Sequence, residues 1–235
     1  MIRLDKYVST AANVSRQEAR RKILSGAVTV NGVAVTRPDC KLAEQGSAVT
    51  LDGEPVRYQK HRYFMLHKPA GVLTATEDRN QKTVLDLFPE ALRRLKLVPA
   101  GRLDKDTTGL LILTNDGDYV HRVISPRHHV PKVYLAETEG LPTESDVRAF
   151  AEGLTLEDGT VCLPALLEIL PDGGMCRVTV REGKYHQVKR MLAACGTPVV
   201  HLHRLSIGKL VLDKMLIPGA FRELSEAEAM SVFTM

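Results

Sequence analysis

No stretch of this chain is apolar for long enough to cross a membrane, and the opening residues MIRLDKYVST lack the apolar core of a secretory leader. The expected address is the cytosol, away from any membrane. Cysteine is sparse: Cys40, Cys162, Cys176 and Cys195 are scattered without a C-x-x-C pair or the rhythm of metal ligands, and they read as reduced, mostly buried thiols. His128 and His129 are adjacent, a spacing that cannot put both rings on one face of a regular element, so no metal site is expected there. A phosphate-cradling P-loop and a dinucleotide glycine fingerprint are also missing. There is no internal repeat and no low-complexity tract.

What is present is ordinary globular material: 44% hydrophobic and 26% charged residues over 235 positions, enough for one large domain or a small one joined to a larger one. The net charge is only +4, yet residues 1–62 alone hold eleven Lys and Arg against six Asp and Glu. The basic surplus is concentrated at the amino end, which suits contact with phosphates.

Residues 1–57 read as a separate small module. Leu4, Tyr7, Val8, Ala11 and Ala12 recur at helical spacing until Asn13 interrupts. Ser15-Arg16-Gln17-Glu18 is a capping box that opens a second helix near Arg16, and Gly26 ends it. Val28, Val30, Val33 and Val35 alternate about Asn31-Gly32, the strongest short-range hairpin signal. Arg16 and Arg20 share a helix face, with Arg21 and Lys22 beside them. The polar stretch 58–62 reads as a linker.

Residues 63–235 form the second expected domain. A strand at Tyr63–Leu66 runs into a turn at His67-Lys68-Pro69-Ala70-Gly71, where Lys68 either touches a ligand or caps the turn. A helical stripe over Thr83–Leu95 contains Pro89, which should bend or split it. Helices are expected at Tyr119–Ile124 and from Thr143 to Gly153. Strands are expected at Lys132–Thr138 and Arg177–Val180, with turns at Asp158-Gly159 and Asp172-Gly173-Gly174. Ser225 to Glu228 is a second capping box, opening a terminal helix. Sequential hairpins point to an antiparallel sheet with flanking helices, an α+β fold.

The most informative segment is GRLDKDTTGLLILTNDG, Gly101 to Gly117. Asp104 sits in a polar turn between Arg102 and Lys105, and an apolar strand, Leu110–Leu113, follows at once and can hold a reacting group steady. The plainer reading is a solvated loop in which Asp106 or Thr107 shapes a turn.

This segment resembles the catalytic motif of pseudouridine synthases, in the branch that modifies single uridines of ribosomal RNA. HKPAGV (67–72), KVYL (132–135) and EGKYHQVKRM (182–191) follow in that family's order. SPRHH (125–129) and YHQVKRM resemble the bacterial small-subunit ribosomal RNA members. The amino-terminal helices and hairpin resemble the small RNA-binding module named after a small-subunit ribosomal protein, which implies RNA contact by Arg16, Arg20 and Arg21, chiefly to phosphates.

The resemblance implies an isomerase that needs no cofactor, has ribosomal RNA as its partner and is expected to act as a monomer. The reaction requires an ionised carboxylate beside the ribose, either to attack the anomeric carbon or to remove the proton of the neighbouring carbon. Asp104 serves both alternatives. A closed site would raise its pKa, so a cation must keep it charged. Lys189 matches the family's cation position, where many relatives carry arginine. With Val188, Met191, Leu192 and Cys195 as the buried stripe, Lys189 lies at its border while Arg190 points roughly opposite. Tyr134 faces away from Val133 and Leu135 and is expected to stack on an extruded uracil. Arg102 corresponds to a side chain that fills the gap left by a flipped base. Leu202 is either an apolar wall against that base or ordinary core. The rivals are a synthase acting on large-subunit RNA and a non-catalytic RNA-binding assembly factor on the same scaffold.

Overall fold

The computed structural model describes residues 1–44, 46–171 and 174–234. Two compact units emerge: Met1–His61 with Pro89–Lys96, and Arg62–Phe88 with Leu97–Met235. The expected turn at Asp172-Gly173 lies outside the described residues.

The first unit comprises β1 (Ile2–Arg3), α1 (Leu4–Ala11), α2 (Arg16–Leu24), β2 (Val28–Val30), β3 (Val33–Ala34), β4 (Lys41–Leu42), β5 (Val49–Leu51) and β6 (Glu54–Val56). Leu4, Tyr7 and Val8 of α1 meet Ala19 and Ile23 of α2 in one core with Val28 and Val49. Asn13 takes the left-handed conformation just after α1. Ser15 Oγ accepts from the Glu18 amide at 3.1 Å, although the Glu18 carboxylate does not return the bond. Asn31 and Gly32 both have positive φ, as a two-residue hairpin turn of this hand requires. Strands β3, β2, β5 and β6 form an antiparallel sheet in that order.

Between the units' segments, Pro89 splits the expected helix. A 3₁₀ turn at Val84–Leu87, capped by Thr83 and Asp86, stops at Phe88, and α3 (Glu90–Arg93) starts after the proline.

The larger unit contains β7 (Tyr63–Lys68), β8 (Val98–Pro99), β9 (Thr108–Thr114), α4 (Gly117–Ile124), β10 (Lys132–Thr138), α5 (Glu144–Glu152), β11 (Leu166–Ile169), β12 (Met175–Val180), α6 (Gln187–Ala194), β13 (Val199–Ile207), β14 (Leu210–Val211), β15 (Phe221–Leu224) and α7 (Glu226–Met230). The sheet order is β11-β12-β10-β13-β9-β7-β15, with β14 on β13 and β8 on β9. Every pairing is antiparallel except β9 with β13. The antiparallel sheet expected from the hairpins is present, and the β9–β13 contact adds a parallel pairing to it. Turn residues specify only pairings between chain neighbours, and β9 and β13 are joined by a long excursion instead of a hairpin.

On one face of the sheet, Met65, Leu110 and Ile112 pack on Tyr119 and Val123 of α4 and on Ala229 of α7. On the other, Phe64 meets Phe88 edge-on, and Phe88 stacks on Phe221 at 4.2 Å. Cys162 and Cys176 are buried, whereas Cys40 and Cys195 are only half-buried, so the thiols are less enclosed than expected. No helix among the described residues is long and apolar enough to cross a membrane.

Candidate active site

The loop from Gly101 to Thr107 enters β9 with its backbone held at several points. Thr74 Oγ1 donates to the Leu103 carbonyl at 2.7 Å, and the Gly71 amide donates to the Lys105 carbonyl at 2.8 Å. The Thr107 amide closes a turn on the Asp104 carbonyl. Beneath the loop lies Lys68, at the end of β7. Its ammonium donates to the carbonyls of Pro69, Lys105 and Thr107 at 3.0, 3.2 and 2.9 Å.

Lys68 is completely buried, so of the two alternatives, contact with RNA or capping of the turn, the geometry fits the cap and not the contact. The strand directs it inward, where three carbonyls replace its water, and the bonds to Lys105 and Thr107 tie down the loop just after Asp104. Burial pushes its pKa down to about 8, against the opposing pull of Asp106 and Asp104.

A prediction follows for Lys68→Met. Losing the ammonium leaves the carbonyls without their donor and is expected to cost about 2 kcal/mol in urea denaturation. The freed loop is expected to lose about 10²-fold in turnover. Because the folded value of Lys68, about 8, lies below its ordinary 10.5, the unfolded chain binds more protons between those values. Its contribution to stability therefore rises with pH across that window, and the methionine variant loses that rise. Lys132, also pushed down to about 8 by burial, keeps its own share.

The Asp104 side chain is 28% exposed and points toward the start of α6. His186 Nε2 stands 3.3 Å from Oδ1, and Lys189 Nζ stands 3.6 Å from Oδ2. Lys189 is shared, because it also donates to Asp106 Oδ1 at 2.6 Å. The Lys189 hydrogen bond holds the Asp106 carboxyl below its ordinary range, with His186 adding a smaller pull in the same direction. Asp106, 74% exposed, lies at the rim while Asp104 is the more enclosed carboxylate.

Helix α6 is positioned by its amino end. Gln187, buried, donates to Glu182 Oε1 at 2.7 Å and accepts from the Lys184 amide at 3.0 Å. Val188, Met191 and Leu192 are buried beneath it, and Cys195 is half-buried. Lys189 consequently reaches the loop, while Arg190 turns aside to pair with Asp158.

Tyr134 makes no hydrogen bond to Asp104. It belongs to a row that crosses five strands in register: Val178, Tyr134, Arg204, Gly109 and Lys68. Arg204 Nη1 donates to the Tyr134 hydroxyl at 3.4 Å, and its Nε donates to the Leu110 carbonyl at 2.8 Å. Its Nη2 is buried without a hydrogen-bond partner among the described residues. Gly109 supplies the empty position that lets the Arg204 backbone close on β9. The row thus links the tyrosine through Arg204 and Lys68 to the Asp104 loop.

Leu202 is buried on the same face as Arg204 and lies opposite Ala136. Arg102 is exposed and makes no ion pair or hydrogen bond among the described residues. In the first unit, Arg16 is tied to Asp5 at 3.1 Å, whereas Arg20 and Arg21 are exposed. They line a groove of about 620 Å³ together with Arg3, Asp5, Arg16 and Gln17. Burial works to raise the Asp5 carboxyl, and Arg3 and Arg16 more than offset it. Among the described residues no group of His, Cys, Asp and Glu is arranged to hold a metal ion.

Sequence reasoning missed His186, Arg204 and the part played by Asp106. Arg204 left a trace, since it is a charge at an inward position of an alternating strand. His186 left none in the periodicity, because it precedes the helix in a left-handed conformation, φ 47°. Asp106 is visible only as a loop residue until Lys189 is placed against it.

The profile of the RNA pseudouridylate synthase family matches residues 62–194, and that of the S4 domain matches residues 2–45. The chain is 43% identical to an uncharacterized RNA pseudouridine synthase of Bacillus subtilis, over 97% of this chain and 96% of that one. It is 44% identical to ribosomal small subunit pseudouridine synthase A of Escherichia coli, over 98% of this chain and 100% of that one. A crystal structure of a pseudouridylate synthase, 38% identical, superposes with a TM-score of 0.69 and covers 99% of this chain and 100% of its own. With its carboxylate loop inside the matched region and relatives spanning almost its whole length, the chain belongs to the RNA pseudouridylate synthase family.

Proposed function

We propose that this protein converts one uridine of small-subunit ribosomal RNA to pseudouridine, with Asp104 as the reacting carboxylate. The observation that carries the reading is a carboxylate on a loop pinned before it at Leu103 by Thr74 and after it at Lys105 and Thr107 by Lys68, with His186 and Lys189 against its two oxygens. The choice of the small subunit rests on relatives about 44% identical over their full length that are named for that substrate.

In this reading the bond from ribose to ring nitrogen breaks, the uracil turns, and a bond from ribose to ring carbon forms; that carbon gives up its proton and the freed ring nitrogen takes one up, so the product is an isomer of the substrate. No atoms or electrons enter from outside. Asp104 either adds to the anomeric carbon or takes the neighbouring ribose proton, and Lys189 keeps it ionised once RNA excludes water. Tyr134 stacks on the extruded uracil, with Leu202 as an apolar wall. Arg102 enters the space that the base has left.

Residues 1–57 act as the RNA-docking module and residues 63–235 as the catalytic domain, joined at 58–62. The protein works in the cytosol as a monomer on free RNA or an assembling particle. Arg20 and Arg21 supply phosphate contacts. Replacing both with alanine is expected to weaken RNA binding across sequences and to reduce the slope of log affinity against log salt by roughly 1.5–2, measured by salt titration.

The test of the function is to incubate the protein with separate small- and large-subunit ribosomal RNA transcripts and to map carbodiimide-dependent reverse-transcription stops. The expected result is a stop in the small-subunit transcript. A stop only in the large-subunit transcript would reassign the substrate. Stops in neither would favour a scaffold that binds RNA without altering it.

A further inference from the structure

The residue immediately before His186 has no assigned part in this site. Tyr185 is 76% exposed, an unusual placement for a large aromatic ring. Its ring lies nearly parallel to the His186 imidazole, with centroids 3.8 Å apart and planes 19° from parallel. That imidazole in turn stands against Asp104 Oδ1. The two rings therefore make a short stack that begins at the carboxylate and ends in solvent. The inner face of Tyr185 is covered by His186, and most of the ring is open.

The stack is held firmly for something so exposed. The left-handed backbone of His186 sets the direction in which both rings leave the chain. The Tyr185 carbonyl accepts from Arg190 Nη1 at 3.4 Å, and Arg190 is anchored by Asp158. The tyrosine hydroxyl makes no hydrogen bond among the described residues. What the side chain presents outward is chiefly a flat π-surface.

A uridine can react at a carboxylate only after leaving its stack in the RNA. Its departure strips one stacking partner from the neighbouring base, and aromatic side chains commonly receive such unpaired bases. Tyr134 is buried and lies in the row behind the catalytic loop, so it suits the uracil itself. Tyr185 is one ring removed from the imidazole at Asp104 and faces solvent, so it suits a different base. We propose that Tyr185, carried on His186, is a stacking platform for the unpaired base adjoining the uridine that reacts. This inference rests on the assignment of Asp104. Stacking needs only a flat surface, so the contact tolerates different bases and selects for an unpaired neighbour more than for its identity.

The experiment uses an RNA hairpin whose loop carries one uridine with fluorescent aminopurine on each side. It is bound to full-length protein carrying Asp104→Asn, so that no turnover intervenes. That variant is expected to quench the aminopurine. Adding Tyr185→Ala should remove the quenching and weaken binding about tenfold, whereas adding Tyr185→Phe should preserve both. With Asp104 intact, Tyr185→Ala should raise KM more than it lowers kcat. Equal quenching and affinity with and without Tyr185, or no quenching by the Asp104→Asn protein at all, would overturn the platform. Failure of the Asp104 assignment has a separate signature: pseudouridine formed in a small-subunit transcript by Asp104→Asn. The quenching comparison would still decide the role of Tyr185.

Discussion

Replacing Asp104 with asparagine is expected to slow pseudouridine formation by about 10³–10⁴-fold while leaving RNA affinity near that of the unchanged protein. Asparagine keeps the shape of the side chain, and the backbone bonds through Thr74, Gly71 and Lys68 do not involve the carboxylate. Lys189 retains its 2.6 Å hydrogen bond to Asp106, so α6 is not left with an unpaired cation against the loop. What disappears is the negative charge that would add to the sugar or take its proton. Single-turnover assays on the transcript, paired with binding measurements, check both halves. Near-normal turnover would transfer the chemistry elsewhere, and Asp106, which shares the same lysine, would be the first residue to examine.

Gly109→Ala is expected to produce a large loss of stability, about 3–5 kcal/mol, together with loss of activity. Two penalties act at this position. Gly109 has φ +107°, a conformation that side chains disfavour. A Cβ there would also stand 2.3 Å from the Arg204 carbonyl oxygen and 2.5 Å from its amide nitrogen. Neither atom can swing aside, because both belong to β13 where it runs parallel to β9. The strands must separate, and Arg204 then withdraws from Tyr134 and from the Leu110 carbonyl.

Gly159→Ala provides the comparison. Its φ is +81°, but the added Cβ meets nothing within 4 Å, so only the conformational penalty of about 1 kcal/mol is expected. Urea denaturation of the two variants separates strain from collision. Equal small losses would mean that the β9–β13 contact relaxes readily and does not set the site.

These two predictions differ in how much of their basis can be read from the chain alone. Asp104 is visible as a carboxylate in a polar turn ahead of an apolar strand, and a family motif surrounds it. The special position of Gly109 is not visible, because the backbone it must admit belongs to a strand nearly a hundred residues away. Lys68 shows the same limit. Its neighbours Pro69 and Gly71 announce a turn, but the Lys105 and Thr107 carbonyls that enclose the ammonium arrive only when β7 pairs with β9.

What the sequence by itself determined is local: where α1 and α2 begin and end, the hairpin at Asn31-Gly32, the break at Pro89, and the presence of a candidate carboxylate on a short loop. Each depends on dihedral preferences or hydrogen bonds spanning a few residues, and those act wherever the segment is found. Tertiary structure decided the parallel pairing of β9 with β13, the burial of Lys68, the row that joins Tyr134 to the loop, the sharing of Lys189 between two carboxylates and the placing of His186 against Asp104. Charge sharing and desolvation depend on distances of a few ångströms between segments remote in the chain, and only the paired strands set those distances.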